Sequence, residues 1–193
     1  TNPPFSLFRE YINQLMEYGK QFLIIGNTNA ITYKEIFPWI KENKLWLGVS
    51  SFNCGMYFQV PENYEYANTY KFDRERNGHK VMRVSSICWY TNLDHTKCHT
   101  ELDLYKKYNV EEYPKYDNYD AIEVSKVAEI PMDYDGVMGV PITFLDKYCP
   151  TQFEIVGCSY QYGDCGKHID GKGWGVSVNN KDIYKRIFIK KRG

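Results

Sequence analysis

A short, continuous apolar segment at residues 21–26 (QFLIIG) constrains the fold more than any other part of the chain. An unbroken apolar run of this length is typical of a strand that is buried on both faces of a parallel sheet. Helix-like apolar spacing over residues 6–19 precedes it, a second helix is predicted over 32–43, and 44–49 is another strand candidate. This alternation of helices and strands predicts an open α/β sheet.

Both predicted helices carry signals at their ends. Ser6 can cap the first helix, and Gly19 can end it. The sequence Thr32-x-x-Glu35 has the form of a capping box, which would open the second helix. In an α/β sheet, loops that carry chemistry follow the carboxyl ends of strands.

Residues 2–5 read Asn-Pro-Pro-Phe, a combination suited to methylation of an amino group on a nucleobase. The lone pair of such an amine is delocalised into the ring, so catalysis needs acceptors that hold the amino hydrogens. The Asn2 side-chain oxygen is one candidate acceptor. Pro3 and Pro4 fix the backbone and lack N–H donors, so the Pro3 carbonyl can be the second acceptor. Phe5 offers a flat face on which a flipped-out base can stack.

Other interpretations of this tetrapeptide remain open. Two consecutive prolines are also common in turns and extended linkers. The same type of loop can serve methylation of single-stranded nucleic acid or of a protein glutamine, so the four residues alone do not fix the substrate.

Three longer segments resemble the EcoRI-type adenine-specific DNA methyltransferases, a family of modification methylases. They are NPPFSLFREYINQLMEYGKQFLIIGNTNAITYKEIF from residue 2, ICWYTNLD at 87–94, and the stretch from LYKKYNVEEYPKYDNYD to FLDKY at 104–148. The resemblance implies transfer of a methyl group from S-adenosylmethionine to the adenine amino nitrogen (N6) of duplex DNA. It also implies that Asn2, Pro3, Pro4 and Phe5 form the catalytic motif, within part of a Rossmann-like open sheet.

Members of this family bind their cofactor on a loop that precedes the Asn-Pro-Pro-Phe motif. Gly136-Val-Met-Gly139 does not replace that loop, because it lacks a strand-then-helix context and a following acidic partner. No cofactor-binding residue is therefore assigned. We expect the 193 residues to be the carboxyl-terminal part of a longer enzyme, inactive without the preceding cofactor-binding part. The alternative is a non-enzymatic DNA-binding or assembly fragment.

Composition predicts a soluble, folded unit. At 193 residues and 43% hydrophobic content, the chain can bury a substantial core, and a single domain spanning 1–193 is expected. No apolar stretch approaches the roughly 20 residues of a membrane-spanning helix, so we expect a cytoplasmic protein with no membrane partner.

The formal net charge is zero, but basic residues are concentrated around Asn77-Gly78, a strong hairpin signal. This region belongs to residues 50–85, the stretch that departs most from the family pattern, and is interpreted as an insertion or target-recognition region. The alternative is a solvated edge hairpin that keeps the protein soluble. The candidate DNA-binding residues are Lys71, Arg74, Arg76, Lys80 and Arg83.

Three further patterns leave alternatives open. Tyrosines at 105–119 could stack on bases, but burial of the rings against the core is favoured. The approximate ligand spacings at His95-x-x-Cys98-His99 and Cys158-x6-Cys165-x-x-His168 lack paired C-x2-C units, so no metal site is predicted. Strand-like residues on both sides of 179–182 predict a carboxyl-terminal hairpin.

Overall fold

The structure is a computed structural model that describes residues 1–52, 54–159 and 175–193. The α-helices are α1 (Phe8–Glu17) and α2 (Phe37–Lys41), and short 3-10 helices span Phe5–Leu7, Thr28–Thr32, Thr96–His99, Val127–Glu129 and Ile142–Lys147. The strands are β1 (Leu23–Asn27), β2 (Trp46–Leu47), β3 (Met56–Gln59), β4 (Glu75–Arg76), β5 (His79–Val84), β6 (Ile87–Thr91), β7 (Ile122–Glu123), β8 (Met138–Pro141), β9 (Phe153–Cys158), β10 (Val176–Val178), β11 (Lys181–Ile183) and β12 (Arg186–Lys191).

The first sheet has the order β1-β6-β2, and both outer strands pair antiparallel with β6. The outer strands β1 and β2 therefore run in the same direction. The expectation that residues 21–26 lie between parallel neighbours is wrong for β6. A continuous apolar run reports burial on both faces of a strand, and Ile24 and Ile25 are indeed buried, but it carries no information about the direction of the neighbouring strand.

Thr1 pairs with the free edge of β1. Its amino group donates to the Leu23 carbonyl (3.0 Å), and the Ile25 N–H donates to the Thr1 carbonyl (3.1 Å). These two hydrogen bonds have the pattern of a parallel strand pair centred on Ile24. Thr1 therefore runs alongside β1 in the same direction, and the residues that follow it lie at the carboxyl end of β1.

The described strands form four small sheets rather than one open sheet. The largest has the order β7-β8-β12-β9, in which only β7 and β8 are parallel. Helix α2 packs against β9, and one continuous hydrophobic core takes residues from both this sheet and the β1-β6-β2 sheet. The structure is thus a mixed α/β fold.

The two predicted helices have different outcomes. The first is confirmed as α1, which buries Phe8 and Ile12, but the Ser6 cap is wrong, because Ser6 lies inside a 3-10 turn and Leu7 is the N-cap. The second is shorter than expected, and the Thr32-x-x-Glu35 capping box is wrong. The Thr32 hydroxyl donates to the Asn29 carbonyl within a 3-10 turn, and Tyr33 is extended, so α2 cannot begin there. It begins near Pro38, which fits the first turn of a helix.

The carboxyl-terminal hairpin is confirmed, but it is smaller than predicted. Strands β10 and β11 pair around Asn179 and Asn180, whose φ angles of +52° and +60° suit a tight turn. The apolar residues 187–189 do not belong to this hairpin. They lie in β12, which pairs with β8 and β9 in the largest sheet.

A buried ion pair connects β7 with β12, across the intervening strand β8. Arg186 of β12 donates from Nη2 to Oε1 of Glu123 on β7 (2.6 Å) and from Nε to both carboxylate oxygens. The Tyr116 hydroxyl also donates to Glu123, and burial raises the pKa of Tyr116 well above its ordinary value. The side chains of Glu123 and Arg186 are only 6% and 13% exposed, so each charge needs the other to balance it.

We expect Glu123→Ala to lower the free energy of unfolding of the full-length protein by about 3–5 kcal/mol, because it leaves a buried guanidinium without a counter-charge. Lys126→Ala is the control, since it removes an ion pair with Glu129 in which Lys126 is 74% exposed. That change should cost no more than about 1 kcal/mol. Denaturant titration measures both values, and equal values would contradict the assigned role of Glu123.

Candidate catalytic loop and nucleic-acid interface

Residues 2–5 form an exposed loop directly after the pairing of Thr1 with β1. Asn2, Pro4 and Phe5 are exposed, with Phe5 at 41%, whereas Pro3 is buried. The Pro4 carbonyl accepts the Leu7 N–H (3.0 Å), which turns the chain into the 3-10 helix that leads to α1. The sequence motif therefore lies at the carboxyl end of β1, between two ordered elements.

The two acceptors expected from the sequence are both available. Within residues 1–52, 54–159 and 175–193, no hydrogen bond uses the Asn2 side chain or the Pro3 carbonyl. The adjacent Pro4 carbonyl, in contrast, is used by the turn. An amide oxygen and a carbonyl oxygen are thus left to accept hydrogen bonds from a ligand.

Helix α1 is fixed to the sheet by Phe8, four residues after Pro4. Phe8 is buried and packs edge-to-face on Tyr90 with the ring centres 5.1 Å apart. The ring occupies space that only glycine leaves at position 26, where a Cβ would lie 2.5 Å from Phe8 Cζ and 2.9 Å from a Tyr90 ring carbon. The Tyr90 hydroxyl donates to the Asn27 carbonyl (2.8 Å). The loop at 2–5 is thus held on both sides, and sequence reasoning did not identify this support.

Several loops meet at the same edge of the sheet. Because Thr1, β1 and β2 run in one direction, the segments that follow them lie at one edge. Asp146 accepts the N–H of Phe52 (3.0 Å), which follows β2, and also the Lys97 ammonium (2.6 Å). Lys97 also donates to the Gly48 carbonyl (3.3 Å). No sequence pattern predicts the Lys97–Asp146 contact, because its partners are 49 residues apart.

A separate lobe extends from this edge between β2 and β6, and we call its residues, 54–84, the tyrosine lobe. Its sheet has the order β3-β5-β4, and none of its described residues belongs to the hydrophobic core clusters. The predicted hairpin is confirmed, with Asn77 and Gly78 at φ angles of +51° and +74°. Because β2 and β6 pair directly, the lobe interrupts the chain without interrupting the sheet.

Tyrosine hydroxyls cover the edge of β5 where the short strand β4 ends. The Tyr66 hydroxyl donates to the Val81 carbonyl (2.7 Å), and the Tyr70 hydroxyl accepts the Arg83 N–H (2.7 Å). Exposed strand edges otherwise pair with other chains. These side chains therefore complete a small sheet that has little core of its own.

The five candidate DNA-binding residues all lie on the tyrosine lobe, and four of them contact aromatic rings. Arg74 and Lys80 lie 5.0 Å and 5.6 Å from the centre of the Tyr66 ring, and the Lys80 ammonium also donates to the Glu62 carbonyl. Lys71 is exposed and has no partner among the residues that the structure describes.

The two remaining arginines are held more firmly. Arg76 lies 3.5 Å from the centre of the Tyr57 ring and pairs with Asp73 (2.8 Å). Arg83 lies 4.2 Å from the centre of the Phe72 ring and donates from Nε to the Cys54 carbonyl (2.9 Å). The structure thus brings all five cations together in one lobe, and their contact with DNA stays a prediction.

The second tyrosine-rich segment, 105–119, is mostly packed against the protein. Tyr113 and Tyr116 are buried, and the Tyr113 hydroxyl donates to the Glu129 carbonyl (2.8 Å). Tyr119 stacks on Phe188 with ring centres 4.1 Å apart, whereas Tyr105 is 66% exposed. Burial of the rings, the favoured interpretation, holds for Tyr113 and Tyr116.

Cysteines are mostly buried in the described part of the chain. Cys88, Cys98, Cys149 and Cys158 are buried, and burial raises the pKa of the Cys88 thiol to about 12. Among the described residues, no three His, Cys, Asp or Glu side chains are grouped as metal ligands would be, and Cys165 and His168 lie outside them. None of the described helices has the length and apolar character needed to cross a membrane.

Comparison with known proteins identifies the class to which this fold and loop belong. Residues 1–192 match the family model described as adenine-specific methyltransferase EcoRI. The chain is therefore a methyltransferase-family sequence. More particularly, it belongs to the EcoRI adenine-specific methyltransferase family, as the resemblance of its motifs implied.

Three curated relatives cover the whole of this chain. It is 51% identical over 195 residues to Type II methyltransferase M.EcoRI of Escherichia coli, of which it covers 56%. It is 41% identical over 203 residues to M.MgeORF184P of Mycoplasma genitalium and 44% identical over 206 residues to M.MpnI of Mycoplasma pneumoniae, covering 63% of each. The chain thus spans about three fifths of the length of these relatives, and no solved structure matches it.

We expect Gly26→Ala to destabilise the full-length protein, because the added methyl group overlaps Phe8 and overpacking typically costs about 1–3 kcal/mol. Phe8→Leu in the same background should recover part of that loss, since it removes the overlapping ring. Denaturant unfolding of the two single variants and the double variant gives the coupling energy. Simple additivity of the two changes would contradict the assigned contact.

Proposed function

We propose that this chain is part of a DNA adenine-N6 methyltransferase and carries its catalytic loop at residues 2–5. The observation that carries the proposal is the pair of unused acceptors, the Asn2 side chain and the Pro3 carbonyl, in a loop fixed by Thr1 and Phe8. Membership of the EcoRI adenine-specific methyltransferase family supports adenine as the acceptor base. The proposed partner is duplex DNA.

The loop acts by positioning and by electrostatic complementarity. The Asn2 oxygen and the Pro3 carbonyl accept the two hydrogens of the adenine amine, which directs its lone pair toward the methyl group. Phe5, being exposed, stacks on the flipped-out base. The nitrogen would become cationic as the N–CH3 bond forms and the S–CH3 bond of the donor breaks, and it would then lose a proton readily to water, so the loop needs no strong general base. Prolines 3 and 4 keep the loop rigid, so little reorganisation is needed during the reaction.

The proposed methyl donor is S-adenosylmethionine. The glycines that could form a cradle for it do not fit that role in the described structure. At Gly136 a Cβ would lie 2.6 Å from the Tyr134 hydroxyl oxygen, and at Gly139 it would overlap Tyr116. Tyrosine rings thus fill the space at both glycines, and we assign no step at the cofactor to these residues.

The tyrosine lobe is proposed to contact the duplex near the target base. It starts from the same edge of the sheet as residues 2–5, which would allow one DNA molecule to reach both. The candidate contacts remain Lys71, Arg74, Arg76, Lys80 and Arg83. Residues 50–85 would then be the target-recognition region inserted into the methyltransferase fold.

In the full-length enzyme, Asn2→Ala should reduce the rate of methyl transfer by roughly 10²-fold or more, because one preorganised acceptor is lost in the transition state. DNA affinity should stay nearly unchanged, since the amine contact contributes little to binding of the duplex. Ser6→Ala is the matched control, because Ser6 is exposed and its side chain caps no helix. Wild-type turnover in Asn2→Ala would remove the catalytic assignment.

Phosphate contacts of the tyrosine lobe can be measured by salt dependence. Lys71→Gln should flatten the log–log slope of affinity against salt by about 0.9, the value for one phosphate contact. Because Lys71 has no described partner, the change should leave the lobe folded. Lys107→Gln, which removes an exposed lysine outside the lobe, should leave the slope unchanged. If replacement of all five lobe cations by Gln also leaves the slope unchanged, the lobe is only a solvated surface.

A further inference from the structure

Three exposed polar side chains lie in a row across one face of the lobe sheet. Gln59 pairs with Val81 across β3 and β5, and Arg76 pairs with His79 across β4 and β5. Because side chains alternate along a strand, His79 and Val81 point to the same face, and so do Gln59 and Arg76. Gln59 Nε2 and His79 Nδ1 are 3.3 Å apart, which confirms that these two side chains meet.

Arg76 is held in place in this row. Its guanidinium lies on the Tyr57 ring, and its Nε and Nη2 atoms both donate to Asp73 Oδ2 (3.1 and 2.8 Å). The hydrogen bond with Arg76 is the main cause that lowers the pKa of Asp73 below its ordinary value. Asp73 and the Tyr57 side chain thus hold the guanidinium, while the Arg76 side chain remains 50% exposed. A long side chain fixed in this way loses little conformational freedom on binding.

The opposite face of the same sheet has a different character. Met56, Phe58 and Met82 lie there, and the Tyr64 hydroxyl contacts Met82 Sδ (2.8 Å). Tyr64 therefore packs on the apolar face, whereas Phe72 and Asp73 reach the polar face, where they contact Arg83 and Arg76. All three side chains of the row, Gln59, His79 and Arg76, are exposed.

We infer that Gln59, His79 and Arg76 form a base-reading face, which contacts base edges in the major groove of duplex DNA. Arginine and glutamine are the side chains that pair with guanine and adenine edges in that groove. Three strands about 4.8 Å apart give a row of about 10 Å, which fits a groove of about 12 Å that also admits β-ribbons. This inference rests on the proposed function and deepens it.

The charge of the lobe supports reading of bases over attraction to phosphates. Between residues 54 and 84 there are five Lys or Arg residues and four Asp or Glu residues. The near-neutral net charge gives the lobe little general attraction to the duplex, although single cations such as Lys71 can still neutralise a phosphate. Base contacts, in contrast, specify the sequence without requiring a large positive charge.

The test is the site preference of the full-length enzyme on duplex DNA. A library of duplexes with randomised sequence around one adenine is methylated under single-turnover conditions, and N6-methyladenine is mapped by sequencing. Arg76→Lys keeps the charge but loses the planar fork, so it should lower discrimination at one base position by about 10-fold or more. Gln59→Ala should relax a different position, and within the described residues the exposed Gln59 side chain hydrogen-bonds His79 alone.

Glu75→Gln is the matched control, because Glu75 precedes Arg76 on β4 but points to the opposite face. It should leave the site preference unchanged. If Arg76→Lys and Gln59→Ala both keep the wild-type preference, the base-reading face does not exist. If the variants instead lose affinity equally for all sequences, the row contacts phosphates rather than bases, and the inference is also overturned. If the wild-type enzyme methylates no duplex DNA, the proposed function itself fails.

Discussion

The contact of Phe8 with Gly26 is the constraint on which the position of the candidate catalytic loop depends. A short loop holds its hydrogen-bond acceptors in a defined position only if the elements on both sides of it are fixed. Thr1 fixes one side through two backbone hydrogen bonds to β1, and Phe8 fixes the other by packing into the space above Gly26. The same Tyr90 ring that packs on Phe8 hydrogen-bonds the end of β1. Loop, helix and strand end are therefore held by one small set of contacts.

Local features of the fold could be predicted from the sequence, whereas the pairing of the strands could not. The α1 helix, β1 and the turns at 77–78 and 179–180 follow from periodicity and from residues that tolerate positive φ. The direction of β6 relative to β1 could not be predicted, because an apolar run is the same for either direction. The Thr32 capping box failed because Thr32 ends a 3-10 turn, in which its hydroxyl donates to the Asn29 carbonyl, and the extended Tyr33 follows.

The residues of the candidate site also differ in whether they could be predicted from the sequence. Residues 2–5 could be identified because their chemistry is contained in four consecutive positions. The supporting residues Gly26 and Tyr90 could not, since they are distant in sequence and ordinary in type. In the tyrosine lobe, sequence reasoning found the cations but missed the aromatic rings that hold them, as with Arg76 on Tyr57. A cluster of charged residues can be recognised in a sequence. The contacts that hold the charged side chains in place can be seen only in the folded structure.

The tyrosine lobe must stay folded with almost no core, and this requirement limits how it can bind DNA. Its sheet is closed by the hydroxyls of Tyr66 and Tyr70 and by cations stacked on rings. A cation that leaves its ring to reach a phosphate loses that packing, so each such contact has an internal cost. On the polar face, the Gln59–His79 contact is exposed, so its loss costs less, and Arg76 is already held by Tyr57 and Asp73. Contacts to base edges can therefore form on that face while the rings and hydroxyls keep the lobe ordered.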